Sequence, residues 1–263
     1  MKVQKKTKKN SFGIIFLLFL ALLVFSNSNT QAQLERPYSD CYQQLMNLCS
    51  ECTEISRDTR TFTYMGCDVQ VSYKIKTCNC PEQQPTTFVD IEYLRINPIP
   101  PYCTNLLQVL YPPTGIYNPA NINLDAYKQL SRYMYDQLTL DLFKDVQDNY
   151  MYPDELKFKV FWPASCNAVC QITVIEDSTM VILQTKPCNA VVCCGIEYIY
   201  SYNGNNNYNI SINQITYGEI QCYLPFGVSC DYSYNDEIVL PEGTFHVLNS
   251  VISDCTTFCD NPN

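Results

Sequence analysis

Cys49-Ser-Glu-Cys52 is a CxxC motif, the spacing used by thiol–disulfide exchangers. Exchange needs a thiolate of lowered pKa, usually at the positive N-terminal end of a helix. Here a helical pattern (Tyr38, Tyr42, Leu45, Met46, Cys49) precedes the motif, so the motif meets the negative end of the dipole. Glu51 adds a carboxylate inside it. Both effects disfavour a thiolate, and the pair reads as structural. Zinc is disfavoured too, because a second CxxC is missing and oxidation competes for the ligands. His246 is the only histidine, set between Phe245 and Val247 in a strand-like run. Any imidazole base must be this residue, and no GxSxG elbow presents a serine to it. It reads as a structural or surface histidine. A single histidine excludes a multi-histidine metal site, and eight glycines in no fitting pattern exclude the GxGxxG and P-loop phosphate cradles.

Oxygen chemistry has three candidates. Asp231, Ser233, Asn235 and Glu242 fall at the first, third, fifth and twelfth positions of a calcium loop, with Ile238 at the apolar eighth. The sixth position, where a sharp turn asks for Gly, is Asp236, and Pro241 precedes the last ligand. The segment is a candidate calcium site or else an acidic β-turn, and no other cofactor is expected. Asp141, Asp145 and Asp148 line one side of a helical stretch. Glycoside hydrolysis wants carboxylates facing each other across a cleft, which adjacent turns of one helix do not make, so these read as a solvated face. Tyr198, Tyr200 and Tyr202 share one face of a strand. Exposed, they would stack on sugars or contact a protein; covered, they are cross-strand core. Asn209-Ile-Ser211 is a glycosylation sequon, meaningful only in a eukaryotic secretory route.

The elements that must position these residues are mostly strands. Val69, Val71, Tyr73 and Ile75 alternate with Gln70, Ser72, Lys74 and Lys76, and Phe62 and Tyr64 precede a turn at 65–68. Further strands are expected at 88–96, 157–162, 172–175, 180–183, 196–202, 208–215 and 245–252. Prolines 98, 100, 101, 112, 113 and 119 mark an irregular stretch. Leu124, Tyr127, Leu130, Met134, Leu138, Leu142 and Val146 form a stripe of period near 3.6, predicting one long amphipathic helix over about 121–150. Asn121 or Asn123 is placed to cap it. The fold class expected is α+β: mostly antiparallel β with that helix, and disulfide-rich. The organisation expected is a leader at 1–32, a Cys-rich β region with a short helix at 33–118, the helix and connector at 119–155, and a second Cys-rich β region at 156–263.

All sixteen cysteines are disulfide candidates: Cys41, Cys49, Cys52, Cys67, Cys78, Cys80, Cys103, Cys166, Cys170, Cys188, Cys193, Cys194, Cys222, Cys230, Cys255 and Cys259. Seven precede residue 104 and nine follow residue 165, so full pairing requires an odd number of bridges between the halves. Adjacent Cys193 and Cys194 point to opposite faces of a strand, and Cys78 and Cys80 share one face, so each pair suits two separate partners.

Residues 1–32 read as a secretory leader: Lys2, Lys5, Lys6, Lys8 and Lys9, then the apolar run Phe12–Phe25, then a cut before Gln33. The run is short for a membrane-spanning helix, so no stable insertion is expected after cleavage. Removing 1–32 takes five basic and no acidic side chains from 17 and 26, leaving 12 against 26, a net charge of −14. Such a polyanion is repelled by phosphate backbones, which excludes nucleic acid as the expected partner. The Lys-rich leader, its close at Gln31-Ala32-Gln33, and the segments Cys67-Asp-Val-Gln-Val-Ser-Tyr-Lys-Ile-Lys-Thr-Cys78-Asn and Val89-Asp-Ile-Glu-Tyr resemble uncharacterised secreted Cys-rich proteins of Bacteroidota. That resemblance implies export, to the periplasm, the cell surface or the medium, and no particular activity. The function expected is a non-catalytic binding or structural module whose partner is a protein or glycan. A secreted carboxylate-based hydrolase is the alternative, and an extracellular thiol oxidoreductase a third reading.

Overall fold

Met65 and Gly66 reverse the chain with φ of 53° and 79°. Both lie in the left-handed region that a two-residue type I′ turn needs, and glycine enters it without a Cβ penalty. The hairpin this turn closes, β2 (Ser56–Tyr64) with β3 (Cys67–Asn79), pairs in unbroken register from Tyr64↔Cys67 to Ser56↔Ile75. A computed structural model describes residues 32–33, 40–81, 85–97, 103–111, 122–149, 155–161, 166–175, 179–189, 193–204, 207–217, 229–240 and 243–258. Apart from Ala32, the segment 1–32 expected to be a leader lies outside the described residues.

The remaining elements are β1 (Ala32–Gln33), α1 (Asp40–Met46), β4 (Pro85–Ile96), α2 (Thr104–Leu110), α3 (Leu124–Asn149), β5 (Glu155–Phe161), β6 (Cys166–Ile175), β7 (Thr179–Asn189), β8 (Cys193–Gly204), β9 (Asn207–Tyr217), β10 (Glu237–Leu240), β11 (Gly243–Ile252) and β12 (Thr256–Thr257). The chain is mostly β. Each expected strand is present and longer than the alternation alone gave, with Trp162 of the one expected at 157–162 outside the described residues. β10 was unforeseen, and α2 forms inside the proline-marked stretch. Strands from both sides of α3 join a single 12-stranded sheet, with the order β1-β10-β11-β6-β7-β4-β5-β8-β9 and the β2–β3 hairpin attached through β4. Pairing is antiparallel except at β1–β10 and β4–β5.

β4 is where the sheet forks. One edge pairs along its length with β3. On the other edge Thr86–Val89 pair with β5, and Leu94–Ile96 pair with β7. Between them, residues 90–93 pair with neither strand. A register shift opposite Ser72/Tyr73 leaves Glu92 as an extra residue, a β-bulge. It changes the phase of the strand: Val89 and Ile91 face the main core before it, Leu94 and Ile96 after it.

α3 lies over the fork. Asn123 caps it, its Oδ1 accepting from the Ala126 N–H at 3.2 Å. Tyr127, Leu130, Met134, Leu138 and Leu142 of the expected stripe are buried in the main core with Ala126, Tyr135 and Phe143, while Leu124 and Val146 are only half-buried. Its polar groups reach four strands. Tyr133 Oη donates to the Thr63 carbonyl of β2 at 3.2 Å. Tyr135 Oη accepts the Ile91 N–H of β4 at 3.2 Å. Tyr127 Oη bonds Thr185 Oγ1 of β7 at 2.9 Å, and Thr139 Oγ1 bonds Tyr200 Oη of β8 at 2.8 Å. A second cluster covers the opposite face of the β6–β7–β11–β10 wing, built from Ile172, Val174, Ile182, Ile238, Phe245, Val247 and Tyr93.

Described bridges are Cys49–Cys80, Cys52–Cys78, Cys67–Cys103, Cys170–Cys230 and Cys188–Cys255. Cys41, Cys166 and Cys194 are disulfide-bonded as well. The other six cysteines before residue 104 pair among themselves, so the partner of Cys41 lies after residue 165. Cys193, Cys222 and Cys259 are cysteines whose side chains lie outside the described ones.

Tyr135→Phe removes one hydrogen bond to a buried backbone N–H at the fork. We expect a loss of about 0.5–1.5 kcal/mol by urea unfolding. An unchanged midpoint would show that the Ile91 N–H has another acceptor.

Candidate functional site

The CxxC motif follows α1, as the helical pattern implied, but its cysteines are not bonded to each other. Cys49 joins Cys80 and Cys52 joins Cys78. The CxxC and the Cys78-Asn-Cys80 segment thus form a double cross-brace between the chain after α1 and the end of β3. Between the two bridges, Ser50 and Asn79 exchange backbone hydrogen bonds of 2.7 and 2.9 Å. Asn79 Nδ2 also donates to Glu51 Oε2 at 2.8 Å. Neither cysteine is left as a thiol, which removes the dithiol that thiol exchange needs. The sulfurs of Cys166, Cys188 and Cys255 also lie close together. All three are disulfide-bonded, so no thiolate is left there to ligate a metal.

A buried group of charges was not foreseen. Lys74 is 0% exposed, and its Nζ lies 3.1 Å from Asp90 Oδ2 and 3.5 Å from Glu92 Oε1. Asp90 and Glu92 are each 1% exposed. The exposed Arg57 places Nε 3.4 Å from the Glu92 carboxylate. Sheet register assembles the group: Arg57 opposes Lys74 across β2–β3, and Lys74 opposes Asp90 across β3–β4. The bulge then puts Glu92 beside them, at the stretch of β4 that neither β5 nor β7 pairs. Alternation had placed Lys74 on a polar face, but that face is covered as well. The legible signal was opposite charge at positions 74 and 90; their register was not legible.

Tyr198 and Tyr200 are each 1% exposed, so they form no exposed stacking ladder. They pack under α3 as cross-strand core, with ring centroids 6.4 Å apart. Phe143 stacks on Tyr200 at 4.8 Å. Tyr198 Oη donates to Asp136 Oδ1 at 2.6 Å, and Arg132 lies over the Tyr198 ring at 5.5 Å. Burial, with the Asp136 charge behind it, raises the pKa of Tyr198. Burial pushes Tyr200 up to about 12. Tyr202 is half-buried.

The other sequence candidates are dispersed. His246 opposes Glu237 across β10–β11, with Nδ1 3.6 Å from Oε1 and the imidazole largely in solvent. In the calcium-loop candidate, Asp231 is bonded to Lys186. Ser233 donates from its N–H and its Oγ to Asp236 Oδ2 at 2.6 and 2.9 Å. Asn235 sits at φ 71° in the same turn, and Glu242 lies outside the described residues. Asp236, which replaces the expected Gly, closes the turn itself. Asp141 and Asp145 are not merely solvated: both bind the Arg60 guanidinium of β2, whose Nε also donates to Tyr73 Oη at 3.1 Å. Burial pulls the Arg60 pKa down, but the two carboxylates outweigh it and hold the charge firmly on. The side chain of Asp148 lies outside the described ones. No family model, curated protein or solved structure matches the chain.

Two expectations follow. Lys74→Met strands two buried carboxylates and should cost about 3–5 kcal/mol by urea unfolding, while Lys74→Met with Asp90→Leu and Glu92→Leu recovers most of the loss. Equal losses in the single and triple variants would show that the charges do not act as a group. The second concerns alkali. Tyr200 ionises near 10.0 when unfolded but only at about 12 when folded, so the unfolded chain sheds its proton first. Stability from this group is complete below pH 10 and declines as pH rises towards 12, by up to ~1.4 kcal/mol per pH unit. Tyr200→Phe should flatten that decline in the urea midpoint.

Proposed function

We propose that the chain is an exported, non-catalytic binding or structural module of α+β type, braced by disulfides and directed at a protein or glycan. The observation that carries this reading is the double bridge. It commits the most chemically suggestive motif, CxxC, to holding α1 against β3. Many bridges in one chain fit an oxidising compartment outside the cytosol. Among the described residues no helix is long and apolar enough to cross a membrane. The imidazole and the acidic groups tied to Arg60, Lys186 and Lys74 sit in separate parts of the fold. Each acidic group is held by a basic side chain of its own.

The buried Asp90 and Glu92 favour a second reading, a carboxylate hydrolase, because such an enzyme works with two carboxylates held close together. Assays of the oxidised protein on polysaccharide, peptide and ester substrates are expected to show no turnover above that of an Asp90→Asn/Glu92→Gln variant. Turnover abolished in that variant, with its far-UV and near-UV circular dichroism intact, would replace the module by the hydrolase.

A further inference from the structure

β9 ends the strand order, and among the described residues no strand pairs with its outer edge. Natural edge strands are guarded against further pairing by charge, proline or a bulge. β2, the other long edge, carries Arg57, Asp58 and Arg60. β9 reads Asn-Tyr-Asn-Ile-Ser-Ile-Asn-Gln-Ile-Thr-Tyr: no charge and no proline over eleven residues. Its one register shift lies at the hairpin end, between Tyr202 and Gly204 on β8. Residues 209–214 are all exposed, whichever face they occupy.

The two faces of this strand differ. Ile210 opposes Tyr200 and Ile212 opposes Tyr198, so both isoleucines continue the face that α3 covers on β8. The helix covers Tyr198 and Tyr200 but not the isoleucines, which remain 45% and 50% exposed. Asn209, Ser211 and Asn213 line the other face.

We propose that β9 pairs antiparallel with β9 of a second copy of this chain, about a two-fold axis at Ser211. In an antiparallel pair, directly opposed side chains lie on the same face. A centre at Ser211 sets Ile210 against Ile212 of the partner and Ile212 against Ile210, so four isoleucines close over each other. Asn209 and Asn213 then face each other on the opposite side. Centring on Ile210 or Ile212 opposes one isoleucine to Tyr208 or Gln214 and loses this match. A contact of this kind is isologous, so it closes at two copies. The choice of a second copy also rests on charge. The chain is acidic, with a net charge of −9, and most of its surface repels a copy of itself; β9 does not. The contact is independent of whether the protein is catalytic.

Sedimentation equilibrium of the oxidised full-length chain over a concentration series should give a monomer–dimer equilibrium that tightens as salt screens the net charge. Ile210→Lys/Ile212→Lys opposes like charges at both isoleucine pairs and should weaken association about tenfold or more. Both positions are solvent-exposed in the monomer, so the variant keeps the parent's circular dichroism. Register is read by cross-linking. Ser211→Cys should form a self-dimer on non-reducing gels. Asn213→Cys should link to Asn209→Cys and not to itself. A monomer at every concentration, as when the edge serves a different protein, overturns the proposal. So does a dimer that ignores the lysines, or one in which Asn213→Cys links to itself in preference to Asn209→Cys.

Discussion

A buried strand that divides its pairing between two neighbours leaves backbone groups with no ladder partner where the neighbours part. That constraint sits at residues 90–93 of β4. Buried amides without partners are costly, so the structure has to supply acceptors and donors from elsewhere. α3 does so from one side, where the Tyr135 hydroxyl takes the Ile91 N–H. The bulge at Glu92 lets the strand change phase while both ends keep apolar residues towards the helix. The placement of α3 across β2, β4, β7 and β8 follows from this need as much as from its apolar stripe. A helix lying on one wing alone would leave the fork open.

The same fork explains the buried charges. On the face away from α3, Lys74 answers Asp90 and Glu92, and Arg57 reaches the latter from β2. A buried ion pair is weak evidence for net stability, since hydrophobic replacements are often as good. Its stronger effect is on register. A two-residue slip of β3 against β4 keeps the apolar faces matched but takes Lys74 from its place opposite Asp90. The group therefore selects one alignment of the branching strand from the alternatives that apolar alternation would accept.

Disulfides act on a different part of the problem. The Cys49–Cys80 and Cys52–Cys78 bridges fasten the short α1 segment, whose Tyr42 donates to the Val89 carbonyl from the side opposite α3. A seven-residue helix is too short to persist alone, so the brace and the Tyr42–Phe88 contact hold it. β4 is thus held from one side by a helix docked through packing and from the other by a helix fastened through sulfur.

Local sequence determined much of this protein. Alternation located the long strands, the period-3.6 stripe located α3, and Asn123 marked its start, because those signals are carried by neighbouring residues. Cysteine parity required an odd number of bridges between the halves, and the pairing of the other six early cysteines directs Cys41 across. Tertiary structure alone decided what faces what. It set which cysteines met, that Tyr198 and Tyr200 lie beneath a helix, that Asp141 and Asp145 share Arg60, and that Lys74 is buried with two acids. Each of these joins residues far apart in the chain through strand register. Period-two alternation says which residues share a face of their own strand, but not which strand lies beside it or what covers that face.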